Sequence, residues 1–212
     1  MLLHLKIHFP LMLTDRERET VEYYDQHAEE WAKKRKKTTE TSFWKDELKE
    51  LRKLPKGKIL ELGSGSGREA LELIAMGYEY TGIDASQELL KIAQARIPSS
   101  QFFHTTVYRL PFPPATFDAF FSWALLSHVP KHRIDEALIS LKNVLKPGAT
   151  GFIAMREGQG EAQEQATSRW FSYYQQEEFE KILQQNGFNV VRKNKKPSRA
   201  DLVWLTFFAS AL

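Results

Sequence analysis

The chain has 212 residues, 30 Lys and Arg against 27 Asp and Glu, a formal charge of +3, and 42% hydrophobic residues. That length suits one domain with a full-sized core, the composition excludes wholesale disorder, and the charge is too slight to call for a polyanionic partner. There is no cysteine, which excludes disulfide scaffolds, thiolate metal sites and cysteine nucleophiles and makes a reducing cytoplasm the natural setting.

Met1–Leu13 is apolar but broken by His4, Lys6, His8 and Pro10. It is too short for a membrane span and lacks the basic start and cleavage site of a signal peptide. It reads as a lightly docked leader, with Met12 as an alternative start. Residues 15–37 predict a charged helix, because Val21, Tyr24, Ala28 and Trp31 share one apolar face. Its basic end, Lys33–Lys37, reads as a solvated helix terminus. A second helix is expected over 41–54, stopped by Pro55 and Gly57. Residues 1–57 would thus form a leader and helical cap on a core at 58–212, all one compact domain.

From Lys58 strands and helices alternate. Strands are expected at Lys58–Leu62, Tyr78–Asp84, Gln101–Thr105, Phe117–Ala124, Ala149–Met155, Phe188–Val191 and Leu202–Ala209. Helices are expected at Arg68–Met76, Ser86–Arg96, Lys131–Leu145 and Gln175–Asn186. This spacing implies an α/β fold, a mainly parallel, doubly wound sheet with helices on both faces.

The first strand runs into Gly63-Ser64-Gly65-Ser66-Gly67. Glycines there permit positive φ and close approach of backbone to a ligand. A phosphate-binding loop would need Gly-Lys-Ser/Thr, whereas Arg68-Glu69 follows Gly67. A dinucleotide fingerprint would place its third glycine at 68 and bring a pyrophosphate near Glu61, with like charges opposed. S-adenosylmethionine carries a sulfonium and an ammonium and no phosphate, so Glu61 would attract it, directly or through water. Asp84, 21 positions beyond Gly63, ends the second strand, where a carboxylate suits both ribose hydroxyls. Each acid has a plainer reading, Asp84 as a helix cap and Glu61 as a strand-end charge.

Glu61-Leu62-Gly63-Ser64-Gly65-Ser66-Gly67 resembles the first motif of the class I S-adenosylmethionine-dependent methyltransferases, and Gly82-Ile83-Asp84-Ala85-Ser86 the second. Leu110-Pro111-Phe112 with Phe117-Asp118, Leu126-Ser127-His128-Val129-Pro130 and Leu145-Lys146-Pro147-Gly148 resemble later motifs. The likeness runs from about Lys58 to Val191 and is nearest to the small-molecule subgroup that includes ubiquinone and menaquinone methyltransferases. It implies a Rossmann-like sheet of seven strands, ordered 3-2-1-4-5-7-6 with the seventh antiparallel. It further implies S-adenosylmethionine as cofactor, S-adenosylhomocysteine as product, and donor contacts from Glu61, Gly63, Ser64, Gly65, Gly67, Asp84, Ala85, Thr106, Val107, Ser122 and Trp123. Thr106 stands where the family often has Asp, and Ala149 where it often has glycine.

Methyl transfer is an in-line displacement that orientation accelerates, and a general base helps when the acceptor carries a proton. His128, after the fourth strand, is the candidate base, or else a polar residue lining the pocket. Tyr24, Trp31, Arg156, Arg169 and Tyr173 are candidate substrate or lid residues. No acidic cluster points to a metal, and Ser122-Trp123-Ala124 departs from the run typical of amino-methylating nucleic-acid enzymes. A small-molecule acceptor is the leading expectation. An RNA or protein acceptor is the alternative, motivated by Lys33–Lys37 and by Arg192, Lys193, Lys195, Lys196 and Arg199. A non-catalytic, donor-binding regulatory module is the third reading.

Overall fold

The computed structural model describes residues 12–34, 44–199 and 202–212. The leader 1–11, most of the basic run at 33–37 and the start of the second expected helix lie outside those residues. Where one helix was expected over 15–37, the described part divides into α1 (Asp15–Gln26) and α2 (Ala28–Lys34). Thr14 caps α1 in a box with Glu17. At its other end the His27 amide and ring nitrogen both meet the Tyr23 carbonyl, at 3.1 and 2.8 Å, satisfying the helix terminus and ending it early. α3 (Lys45–Lys53) stops at Leu54, which takes the extended conformation that Pro55 imposes on its predecessor.

Then follow β1 (Lys58–Leu62), α4 (Arg68–Ala75), β2 (Glu79–Asp84), α5 (Gln87–Arg96), β3 (Gln101–His104), β4 (Phe117–Trp123), α6 (Ile134–Val144), β5 (Leu145–Arg156), β6 (Glu161–Gln163), β7 (Trp170–Ser172), α7 (Gln176–Gln185), β8 (Phe188–Arg199) and β9 (Leu202–Ala211). Seven strands form one sheet in the order β3-β2-β1-β4-β5-β9-β8. β1 to β5 run parallel, and β9 runs antiparallel to both β5 and β8. Order and reversed last strand agree with the sequence expectation.

Side chains alternate along each central strand, yet both sets are buried, as in a sheet covered on two faces. Leu60, Leu62, Phe120 and Ile153 pack toward Leu138, Leu141, Phe179 and Leu183 of α6 and α7. Ile59, Ala119, Phe121 and Phe152 pack toward Leu51, Ala70 and Leu73 of α3 and α4. The chain winds outward from β1 to β3, then returns to β4 beside β1. A crevice opens at the carboxyl ends of the strands at such a reversal. Among the described residues no helix is long and apolar enough to cross a membrane.

Candidate active site

The turn after β1 is pinned to the neighbouring strand. The Gly63 and Ser64 amides both donate to the Ile83 carbonyl at 2.9 Å. Gly63 and Gly65 have φ of +76° and +51°, a region costly for residues with a Cβ. At Gly63 a Cβ would also meet the Leu125 side chain at 2.8 Å. Asp84, at the tip of β2, accepts the Gly65 amide on Oδ2 and the Ser86 amide on Oδ1, each at 2.8 Å. Burial raises its carboxyl above the ordinary range, and those two amides oppose the rise.

Glu61 takes a different place from the one expected beside a cationic ligand. Strand alternation turns it away from Leu60 and Leu62, onto the α4 side, where it is buried and accepts the Tyr80 hydroxyl. Burial raises its carboxyl well above the carboxylate range, and Glu69 adds to the rise. It does not border the crevice.

Beyond β4 the backbone passes through Ala124 at φ +65° into a 3-10 turn, Leu125–His128. Ala124 is held there by its amide bond to the Ala154 carbonyl at 2.8 Å, and a strained non-glycine residue of this kind is common beside functional sites. The turn delivers His128 into a partly buried setting at the cavity wall. Its Nδ1 lies 2.7 Å from the Trp170 carbonyl and its Nε2 3.0 Å from the Tyr24 hydroxyl. A carbonyl only accepts, so Nδ1 carries the proton and the Nε2 lone pair faces Tyr24. Burial pushes the imidazole down to about 4, with Arg169 and Arg156 adding to the fall against the Trp170 carbonyl.

Helix α1 and the β6–β7 hairpin roof the crevice and hold each other. The Trp170 amide donates to Thr20 Oγ1 at 2.8 Å, and Arg169 Nη1 donates to the Tyr24 hydroxyl at 3.0 Å. Glu17, buried in α1, receives Arg133 Nη1 at 3.1 Å and the Tyr108 hydroxyl. Asp25 accepts the Ser86 hydroxyl at 2.6 Å and the Glu88 amide at 3.1 Å, which seats α1 on the start of α5.

The resulting cavity is bordered by Tyr24, Trp31, Gly63, Ser64, Gly65, Asp84, Ala85, Thr106, Val107, Trp123, His128, Arg156 and Arg169, thirteen of the seventeen residues singled out from sequence. Glu61, Gly67, Ser122 and Tyr173 do not border it. Gly67 takes a left-handed φ to start α4 and packs against Ala93 of α5. Ser122 is fully buried within β4, and Tyr173 stacks on Phe171. The cavity wall also contains Glu17, Glu69 and Tyr108, which sequence reasoning passed over. Thr14-x-x-Glu17 carries a capping signature, which explains Glu17 as a cap and gives no sign of a pocket.

The wall fits S-adenosylmethionine on its chemistry. Asp84 offers acceptors to a diol, the glycine turn leaves room for a close ligand, and Glu17, Glu69 and Asp84 add negative charge near a cation. Trp31, Trp123, Tyr24 and Phe171 offer aromatic faces, on which a sulfonium is stabilised.

Residues 59–148 match the sequence model of a methyltransferase domain. A ubiquinone biosynthesis O-methyltransferase of Xanthomonas campestris is 33% identical over 109 residues, 48% of this chain and 44% of that protein. The chain spans less than half the length of the curated relatives it matches. In fold it is similar to the 1,6-didemethyltoxoflavin-N1-methyltransferase of Burkholderia thailandensis, solved with S-adenosylhomocysteine, at a TM-score of 0.73 and 21% identity, covering 97% of this chain and 93% of that one. The magnesium protoporphyrin IX methyltransferase of Synechocystis, solved with S-adenosylmethionine, gives 0.70 at 14% identity, covering 95% and 99%. Residues 59–148 thus carry the sequence of a methyltransferase domain, and the sheet order is that of the S-adenosylmethionine-dependent methyltransferase fold.

Proposed function

We propose that the protein transfers the methyl group of S-adenosylmethionine to a small-molecule acceptor enclosed by α1, the 3-10 turn and the β6–β7 hairpin. Asp84 carries this reading. Its partly buried carboxylate is aimed by the Gly65 and Ser86 amides into the cavity, and unused lone pairs remain for a ribose diol. When bound, the donor supplies an electrophilic methyl on a sulfonium. Thr106 and Val107 would border the adenine, and the aromatic wall would exclude water and hold the acceptor for collinear approach. His128 is neutral at pH 7, and a proton leaving the acceptor can reach its Nε2 through the Tyr24 hydroxyl. The cysteine-free sequence suits a reducing cytoplasm.

The alternative of an RNA or protein acceptor draws on the cations of β8. Arg192 lies 3.6 Å from Glu50, Lys193 2.6 Å from Glu180, Lys196 2.6 Å from Glu47, and Lys195 pairs with Glu157. Cations already paired with Glu leave little uncompensated charge for a polyanion. A regulatory module that binds the donor without turnover finds its support in the depressed basicity of His128.

Calorimetry with S-adenosylhomocysteine tests the donor site. Asp84→Ala is expected to weaken binding by about a hundredfold, the order of two charge-assisted hydrogen bonds; unchanged affinity would remove the ribose from this place. Incorporation of labelled methyl into a metabolite extract then separates enzyme from regulator, since a regulator binds the donor and labels nothing.

A further inference from the structure

We infer that the acceptor carries a carboxylate or similar planar oxyanion and that Arg156 receives it; the inference rests on the methyltransferase reading of the cavity. Arg156 is the last residue of β5. Its amide donates to the buried Ser127 hydroxyl at 3.1 Å, which fixes the backbone beside the His128 turn. Its guanidinium lies over the Phe171 ring at 3.8 Å and borders the cavity.

The neighbouring cation is already satisfied. Arg169 donates from Nη2 to Glu164 Oε2 at 2.5 Å, from Nη1 to the Tyr24 hydroxyl at 3.0 Å and from Nε to Thr167 Oγ1 at 3.0 Å. Glu164, the carboxylate paired with both arginines, spends Oε2 on Arg169 and on the Thr167 hydroxyl at 2.5 Å. Its Oε1 stands 3.6 Å from Arg156 Nη1, beyond a hydrogen bond. Arg156 Nε is buried with no acceptor in reach. His128, neutral and with its lone pair turned to Tyr24, supplies no anion.

Two guanidiniums thus share one carboxylate, and the fork of Arg156 is left with unfilled donors in an aromatic wall. A buried donor without an acceptor is costly, and the planar fork matches a carboxylate in a bidentate manner. The donor's own carboxylate is the competing source. With the donor's amino-acid end at the glycine turn, as the proposed reading places it, that carboxylate would lie at the tip of β1 beside Arg68, two strands from β5, about 10 Å by strand spacing. Arg156 therefore faces the acceptor.

The test uses protein saturated with S-adenosylhomocysteine, titrated with benzoate and with its neutral counterpart benzamide and followed by ligand-observed NMR at pH 7. Benzoate is expected to bind roughly tenfold or more tightly than benzamide. In Arg156→Gln that preference disappears while the affinity for benzamide stays. Arg156→Lys, which keeps the charge without the fork, retains part of the preference and keeps the test open if the Gln variant misfolds. Equal binding of the two probes to wild type overturns the inference, as does a preference that survives Arg156→Gln. So does a loss of S-adenosylhomocysteine affinity in Arg156→Gln that 5′-methylthioadenosine, which lacks the amino-acid end, does not share; Arg156 then holds the donor. Failure of S-adenosylhomocysteine to bind wild type strikes the methyltransferase reading itself, and the inference with it.

Discussion

His128 is held between a carbonyl that fixes its tautomer and a phenol that covers its basic nitrogen, and its burial has a cost visible in pH dependence. Its folded value of about 4 lies below the ordinary 6.5. Between those two values the unfolded chain binds the proton and the folded chain does not, so stability falls as pH drops through that window. Urea unfolding at pH 7 and at pH 5 is expected to show about 2 kcal/mol of this loss in wild type and its absence in His128→Gln; an identical difference in both proteins would contradict the burial of a neutral imidazole. At this scale the strand-tip position of Asp84 and the positive-φ turn at Gly63 and Gly65 were legible. The sequence was misleading at Glu61, because its place in the motif says that it ends a strand and not which face it takes. The alternation with Leu60 and Leu62 turns it toward Tyr80.

Helix α1 is amphipathic, yet its docking depends on polar groups. Glu17 joins the Thr14 cap, Arg133 and Tyr108, and Thr20 receives the hairpin amide. Removing one partner of a buried charged pair leaves the other uncompensated. Glu17→Ala is expected to destabilise by about 3 kcal/mol, with α1 amides exchanging with solvent faster while those of β1 and β4 stay protected. Uniform acceleration across the sheet would show that α1 is not a separately opening element. Element boundaries were legible wherever apolar alternation or a Pro or Gly stop marked them. The β6–β7 hairpin was missed because each strand has three residues, too few for a period to show. β8 was read as ending at Val191 because Arg192–Arg199 lacks an apolar face. It persists as an edge strand, where lysines and Pro197 are tolerated and glutamates of α3 and α7 answer its charge.

Across the whole molecule, the alternation of strands and helices made a mainly parallel, doubly covered sheet legible, while the strand order came only from the resemblance of the motifs to a known family. The roof over the crevice was not legible, because its contacts join residues far apart in sequence, such as Tyr24 with His128 and Thr20 with Trp170. The seat of α1 on α5 has a consequence of its own. Asp25 holds the Ser86 hydroxyl and the Glu88 amide, and the Ser86 amide holds Asp84, so one short turn serves both the roof helix and the carboxylate proposed to hold the nucleoside. Anything that tightens one must tighten the other by the same factor, whichever is varied first. Saturating S-adenosylhomocysteine is expected to slow tryptic cleavage after Arg16 and Arg18 several-fold. Asp25→Asn should weaken nucleoside binding and shrink that protection in equal measure; protection without a matching affinity change would mean the two ends of the turn do not communicate.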